Sequence, residues 1–322
     1  MGLTFSRDSF FLLGSECING FRKYRMISGI KQILLHGVRS VFHNAKFVIL
    51  MWAFNAVSAL VLVVPVYNIL VDNLGTSLTS DRLTLDFDYM WYLQFRNLYS
   101  TQLDQVPLSI YFVVGIYALI QTFFLGGLIS IFQIPDKNHT VDFFYGGVKY
   151  FLRFTKVLLL SLIFFFAAFK INDYSGELIT LIFKNSENVI ADFMLKAVRY
   201  ILLIFFIGIV TIVSDYSKVS LAVKDKNQIF RECFNAIRFI ITNFNKVFIT
   251  FLIVAMIGAL GSIVYNIIGR LIPRTPFYFL FLSFFLQQML IIFRLLVRML
   301  FYSTEVNLFN DLSADVIKAE TR

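Results

Sequence analysis

The chain has 322 residues, 58% of them apolar, with 39 phenylalanines and a formal net charge of +9 at pH 7; its mean hydropathy is +0.74. This apolar content exceeds that of an ordinary soluble domain and indicates that lipid surrounds much of the protein. No nucleic-acid-binding motif accompanies the positive charge, so we assign the charge to membrane topology and anionic headgroups and expect no nucleic-acid partner.

Residues 1–46 are predicted to form a basic, amphipathic head on the cytoplasmic side. Between Ser28 and Lys46, apolar residues recur at helical spacing with Lys31 and Arg39 elsewhere on the turn, which predicts a helix lying in the headgroup layer. The apolar run at residues 10–13 is too short for a signal-peptide core. We therefore expect the first transmembrane span to act as an uncleaved anchor.

Six apolar runs predict an all-α, polytopic membrane fold with about six transmembrane helices. The runs are 47–70, 108–132, 157–171, 200–213, 247–268 and 277–293. The third and fourth are shorter than the roughly 20 residues that cross a bilayer, so flanking residues must lengthen these helices or the bilayer must thin. The predicted membrane domain comprises residues 47–305, and residues 306–322 form a polar cytoplasmic tail.

A basic, aromatic junction recurs before the first, third and fifth apolar runs. The junctions are residues 37–46, 147–156 and 236–246. Their similarity predicts three parallel helix-pair units, each with an amphipathic interfacial helix. The predicted units are about 28–134, 138–217 and 227–302. Chance, or a pattern shared by membrane entry points, is the alternative. We assign lipid-headgroup contacts to nine basic side chains: Lys31, Arg39, Lys46, Lys149, Arg153, Lys156, Arg231, Arg238 and Lys246.

Lysine and arginine residues are distributed unevenly between the two sides of the predicted membrane domain. Of the 29 such residues, 21 fall on the side of the head, the three junctions and the tail. Cytoplasmic loops carry an excess of positive residues. We therefore predict that both termini are cytoplasmic.

Few ionisable residues fall near the apolar runs. Asp215 follows the fourth run, and Arg294 and Arg298 lie one helical turn apart after the sixth. Their similar depth predicts an ion pair between Asp215 and one of the arginines. Such a pair locks two helices together, or the arginines reach to the interface; a proton or substrate site is the alternative.

Amides and glycines within the runs predict contacts between helices. The amide side chains, expected to form interhelical hydrogen bonds, are Asn55, Gln121, Gln287 and Gln288. Gly126 and Gly127 leave a small surface on the second span, which favours close helix packing. These patterns describe assembly and do not indicate a reaction.

Signatures of catalysis are missing from the sequence. The three histidines lack metal-ligand spacing, and no phosphate-binding loop or hydrolase elbow is found. Cys17 and Cys233 both fall on the predicted cytoplasmic side, where thiols stay reduced. We therefore expect no enzyme activity, no cofactor and no metal; an intramembrane enzyme is the weakest alternative.

The layout resembles that of a known group of membrane proteins. The residues that carry the resemblance are the junction 37–46, the helix end 124–127 followed by 143–147, and the segment 215–218. Over residues 28–305 the chain resembles uncharacterised bacterial six-span proteins, which are similar to the membrane domain of some bacterial glycerophosphodiester phosphodiesterases. The resemblance implies a helical bundle in a bacterial inner membrane. It transfers no catalytic residue.

Together these patterns favour a non-catalytic membrane scaffold or accessory subunit. Its basic helices would engage lipid headgroups, chiefly anionic ones, or a membrane-protein partner. The alternative is a carrier that moves a lipid or small amphiphile along a path between the repeat units. A carrier should present a polar cavity near the midplane, whereas the sequence places only isolated amides there.

Overall fold

The computed structural model describes residues 29–75, 88–98, 100, 106–133, 139–183, 189–273 and 278–320. These residues contain helices and no strand, which confirms the predicted all-α fold. The helices are α1 (Ile30–His43), α2 (Lys46–Leu74), α3 (Tyr89–Leu98), α4 (Val106–Gln133), α5 (His139–Phe183), α6 (Val189–Val223), α7 (Ile229–Thr242), α8 (Phe244–Leu271) and α9 (Tyr278–Glu320).

Six of these helices are long and apolar enough to cross a membrane, namely α2, α4, α5, α6, α8 and α9. The prediction of a multi-pass membrane protein with about six spanning helices fits this count. Residues 1–28 of the predicted head lie outside the described residues.

The third and fourth spans belong to helices much longer than their apolar runs. Helix α5 has 45 residues and α6 has 35. At about 1.5 Å per residue, α5 is about 67 Å long and exceeds the roughly 30 Å of hydrocarbon in a bilayer. Flanking residues therefore provide the length that the apolar runs lack.

The three basic junctions do not fold alike. Helices α1 and α7 each have 14 residues and end before an asparagine, Asn44 and Asn243. Each asparagine donates its side-chain N–H to a carbonyl oxygen four residues earlier, at 3.0 Å for Ser40 and 3.2 Å for Phe239. These bonds satisfy acceptors at the helix end. The middle junction has Phe154 at the equivalent place, five residues after its first basic residue, and stays inside the continuous helix α5.

The buried core is concentrated at one end of the bundle. Nearly all buried side chains come from residues 30–51, 121–161, 212–254 and 295–312, which we call the packed half. Residues 54–74, 110–118, 162–206 and 255–290, the open half, expose most of their large apolar side chains, including Val63, Phe166 and Phe281. Lipid tails are as apolar as leucine, so these side chains need no protein cover in a membrane.

Glycines allow α4 and α5 to cross closely in the packed half. A Cβ atom added to Gly127 would lie 2.6 Å from the carbonyl oxygen of Phe143, and one added to Gly126 would lie 2.9 Å from that of Gly146. Phe143 is fully buried and stacks on Phe47 with ring centroids 4.3 Å apart. The predicted close packing at Gly126 and Gly127 is confirmed.

Helix α9 continues beyond the predicted domain boundary at residue 305. Val306, Leu308 and Phe309 are buried in the core, so this part of the predicted tail is packed helix. Helix α1 lies against α9 where the carbonyl of Gly37 accepts a hydrogen bond from Ser303 at 3.4 Å. Helix α1 and the end of the last helix thus pack together.

Candidate functional site

Exposed basic side chains and exposed apolar side chains occur together on α1. Lys31 and Arg39 are exposed, as are Leu35 and Phe42. The opposite face, formed by Ile33, Gly37 and Val41, is buried against the bundle. A helix with cationic and apolar groups on its outer face suits the boundary between headgroups and acyl chains.

Helix α7 has the same arrangement. Arg231 and Arg238 are exposed beside Phe234. The inward face is formed by Glu232, Ala236 and Ile240. Of the nine predicted headgroup contacts, seven are exposed: Lys31, Arg39, Lys46, Lys156, Arg231, Arg238 and Lys246. We call these seven side chains the basic collar.

The other two predicted contacts are occupied by a carboxylate of the protein. Lys149 and Arg153 on α5 donate to the two oxygens of Asp225 at 2.8 and 2.7 Å. Asp225 follows α6 and has a left-handed backbone, with φ of +48°. The hydrogen bonds from Lys149 and Arg153 hold the pKa of the Asp225 carboxyl below its ordinary value. These ion pairs tie the α6–α7 loop to α5.

Glu232 is a buried carboxylate that the sequence analysis missed. It accepts hydrogen bonds from Ser220 at 2.8 Å, Asn235 at 3.1 Å and Lys224 at 3.3 Å, and the ammonium of Lys226 lies 3.6 Å away. Burial alone would raise the pKa of Glu232, but the bond from Ser220 and the charge of Lys224 hold it below its ordinary value. Glu232 lies four residues before Ala236, and residues at this spacing share one face of a helix, so the sequence places Glu232 on the same inward face.

The predicted ion-pair residues lie in one region but with different partners. Asp215 bonds Lys218, one turn further along α6, at 3.0 Å. The Arg298 guanidinium donates to Oε1 of Gln121 at 2.7 Å and to the Tyr302 hydroxyl at 3.1 Å. Arg294 is exposed. The structure thus pairs Asp215 with Lys218 instead of with either arginine.

Amide side chains connect α2, α4 and α9. Oδ1 of Asn55 accepts hydrogen bonds from the Tyr117 hydroxyl at 3.0 Å and from Gln121 at 3.2 Å. Trp52 donates to Oε1 of Gln288 at 2.9 Å. Interhelical hydrogen bonding is confirmed for Asn55, Gln121 and Gln288. The fourth amide, Gln287, is exposed.

Glu305 on α9 is a second buried carboxyl outside the predicted set. Only 4% of this residue is exposed. Its Oε2 atom has no hydrogen-bond partner among the described residues. Asp215 and Lys218 are close enough to interact with it electrostatically. The predicted membrane domain ends at residue 305, and for that reason the burial of this side chain was not predicted.

Metal-ligating and thiol chemistry has little support in the described residues. They contain no group of three or more His, Cys, Asp or Glu side chains that could hold a metal ion. Burial raises the pKa of the Cys233 thiol and disfavours its reactive thiolate. Cys17 lies outside the described residues.

Comparisons with protein-family models, curated proteins and solved structures find no match to this chain. The resemblance to the membrane domains of bacterial glycerophosphodiester phosphodiesterases therefore stays a prediction.

Proposed function

We propose that this protein is a non-catalytic membrane scaffold or accessory subunit whose basic collar engages anionic lipid headgroups. The observation that carries the proposal is the joint exposure of cationic and large apolar side chains on α1 and α7. Each cation near an anionic membrane surface contributes about 1 kcal/mol of attraction, and the apolar neighbours enter the acyl boundary. Such a surface recognises charge density and not one lipid structure.

The proposed location is a bacterial-type inner membrane with both termini cytoplasmic. The excess of lysine and arginine on the side of the junctions supports this orientation. The collar would then face the leaflet surface where anionic lipids attract juxtamembrane cations. A protein partner with an acidic surface could bind the same collar.

The proposal of repeated units has support from two of the three junctions. Helices α1 and α7 have the same length and the same asparagine bond at their ends. The residue two positions before the first basic residue is buried in all three junctions, at Gly37, Gly147 and Ala236, so the length and the end of the helix are what set the middle junction apart. These parallels favour a common origin for the first and third units, and the continuous α5 is the divergent member.

A carrier for a lipid or small amphiphile is the second candidate. The polar chain formed by Asn55, Gln121 and Arg298 favours it, because polar groups on three helices meet between spans. These groups bond one another, however, so their hydrogen-bonding capacity serves helix packing. The carrier therefore ranks below the scaffold.

Native mass spectrometry of the protein, extracted from its own membrane in lipid particles, tests the proposal. We expect anionic lipids to co-purify with the wild type and to be lost when Lys31, Arg39, Arg231 and Arg238 are changed to Gln. A matched control changes the open-half residues Lys170, Lys196 and Arg270 to Gln and should keep the lipids. A stoichiometric protein partner would identify an accessory subunit. Equal lipid retention by all three proteins would contradict the collar.

A further inference from the structure

We propose that Glu305 is a proton-binding site within the packed half, held as a neutral carboxylic acid between α6 and α9. The carboxyl is buried, and its Oε2 atom accepts no hydrogen bond from the described residues. This site is separate from the basic collar, so the proposal does not depend on the proposed function.

Glu232 shows what a buried, ionised glutamate requires in this protein. Its carboxylate is fully buried and receives three hydrogen bonds and a further nearby ammonium group. Glu305 is almost equally buried, but its Oε2 atom receives no hydrogen bond from the described residues. An ionised carboxylate in an apolar environment without partners is far costlier than a neutral polar group. A bound proton removes most of that cost.

The charged side chains around Glu305 already have other bonding partners. On α6, the negative charge of Asp215 disfavours a second negative charge at Glu305, while Lys218 is bonded to Asp215. On α9 itself, Arg298 bonds Gln121 and Tyr302. Tyr216, which is buried, also interacts with Glu305.

The remaining helices packed on α9 do not place an unpaired charge inside this cluster. Helix α7 contacts α9 through Phe239 and Phe309, and its buried carboxylate, Glu232, is held by Ser220, Lys224 and Asn235. Helix α4 carries no charged residue. The cationic residues of α1, α2 and α8 nearest the packed half are exposed, namely Lys31, Arg39, Lys46 and Lys246, as are His36 and His43 of α1. Among the described residues, a cationic partner for Glu305 must therefore be Lys218 or Arg298, after one of them leaves its present partner.

A proton fits this site better than a metal cation. Lys218 and Arg298 already bring two positive charges into the cluster, and a metal ion would be repelled by both. A proton neutralises the carboxyl directly and needs no additional room. Its release would leave two carboxylates to share Lys218, so the contact between α6 and α9 would have to rearrange.

Infrared spectroscopy of the full-length protein in lipid provides the direct test. We expect a protonated-carboxyl C=O band at neutral pH that shifts in heavy water and disappears in Glu305→Gln. The matched control, Glu232→Gln, should keep the band because Glu232 is ionised. A wild-type spectrum without the band at neutral pH, or a band that survives in Glu305→Gln, would overturn the proposal.

Thermal unfolding against pH supplies a second readout. Because the folded state holds the proton, wild-type stability should fall as pH rises above about 4, where an unfolded glutamate releases its proton. Glu305→Gln should remove this part of the pH dependence. The same dependence of stability on pH in both proteins would contradict the proposal. So would a wild type that NaCl stabilises more than choline chloride does, if Glu305→Gln loses that difference, because sodium would then bind at this site. If Glu305→Gln does not fold, the pH titration of the wild-type infrared band decides between the outcomes.

Discussion

The packed half and the open half are both built from long apolar helices, yet they differ in which side chains face the protein interior. In the packed half, glycines, the Gln121 amide and the Glu232 carboxylate face the protein interior among large apolar side chains such as Phe143. In the open half, large side chains such as Val63 and Phe166 face outward, with exposures of 55% and 65%. Apolar content therefore does not determine what is buried in this protein. Small and polar residues at the helix contacts distinguish the packed half, as expected where lipid competes with protein for apolar contact.

The largest effect should come from filling the crossing of α4 and α5. In Gly127→Leu, the new side chain starts 2.6 Å from the Phe143 carbonyl, so the helices must separate. Overpacking of this kind costs about 1–3 kcal/mol, and backbone contact places this site at the upper end. Thermal unfolding in lipid particles measures the loss.

Gly115→Leu, in the open half, is the matched control for this substitution. A Cβ atom there meets no described atom within 4 Å. Its unfolding temperature should stay close to that of the wild type. Equal losses of thermal stability in Gly127→Leu and Gly115→Leu would contradict the distinction between the packed half and the open half.

The next effect concerns the half-buried guanidinium of Arg298. Arg298→Met removes the donor to Gln121 and Tyr302 and leaves those acceptors without it. Hydrogen bonds to charged groups contribute about 1.5–3 kcal/mol, and a loss in this range is expected in urea or thermal unfolding. Arg294→Met, one turn away and exposed, should change stability by less than about 0.5 kcal/mol. A larger loss of stability in Arg294→Met than in Arg298→Met would contradict the role given to Arg298.

A smaller effect is expected for a single interhelical amide. Gln288→Leu breaks the bond to Trp52 and should cost about 0.6 kcal/mol, the mean value for such bonds in membranes. Gln287→Leu changes the exposed neighbour and should leave stability unchanged or raised. The reverse order of the two variants in thermal unfolding would refute the assigned hydrogen bond.

The smallest effect belongs to the exposed ion pairs at Asp225. Asp225→Asn should cost about 0.2–1 kcal/mol, because the carboxylate side chain is 53% exposed and solvent screens it. Since the pKa of Asp225 is lowered, its stabilisation is present above about pH 4, the ordinary value, and is lost as the pH falls further. Stability measured between pH 6 and pH 2, at about unit steps, should fall more in the wild type than in Asp225→Asn, which keeps only the contribution of other carboxylates such as Glu232. An unchanged acid dependence in Asp225→Asn would exclude the pairs as its source.

The sequence was informative where a physical property repeats along the chain. Long apolar runs predicted six helices, and Gly126, Gly127 and the amides predicted contacts that the structure contains. The break between a junction helix and its span also has a local cause, because Asn44 and Asn243 cap two helices where Phe154 continues a third. This difference between asparagine and phenylalanine is visible in the sequence.

The remaining features depend on contacts between distant segments. Asp215 was assigned an arginine by depth along the bundle, but Lys218 on its own helix is nearer, and only rotation of α6 decides which partner is reached. The burial of Glu305 depends on α1 and α6 covering α9, which no local pattern encodes. Helical spacing does predict the burial of Glu232, which lies on the same face of α7 as Ala236 and Ile240.

The central claim, that the basic collar binds anionic headgroups, is tested most directly by titrating anionic lipid into zwitterionic lipid particles and following thermal stability. The wild type should gain stability as the anionic fraction rises, and added salt should reduce the gain. The variant with Gln at Lys31, Arg39, Arg231 and Arg238 should lose most of the gain, while the variant with Gln at Lys170, Lys196 and Arg270 should keep it. Identical gains in the two variants would contradict the account.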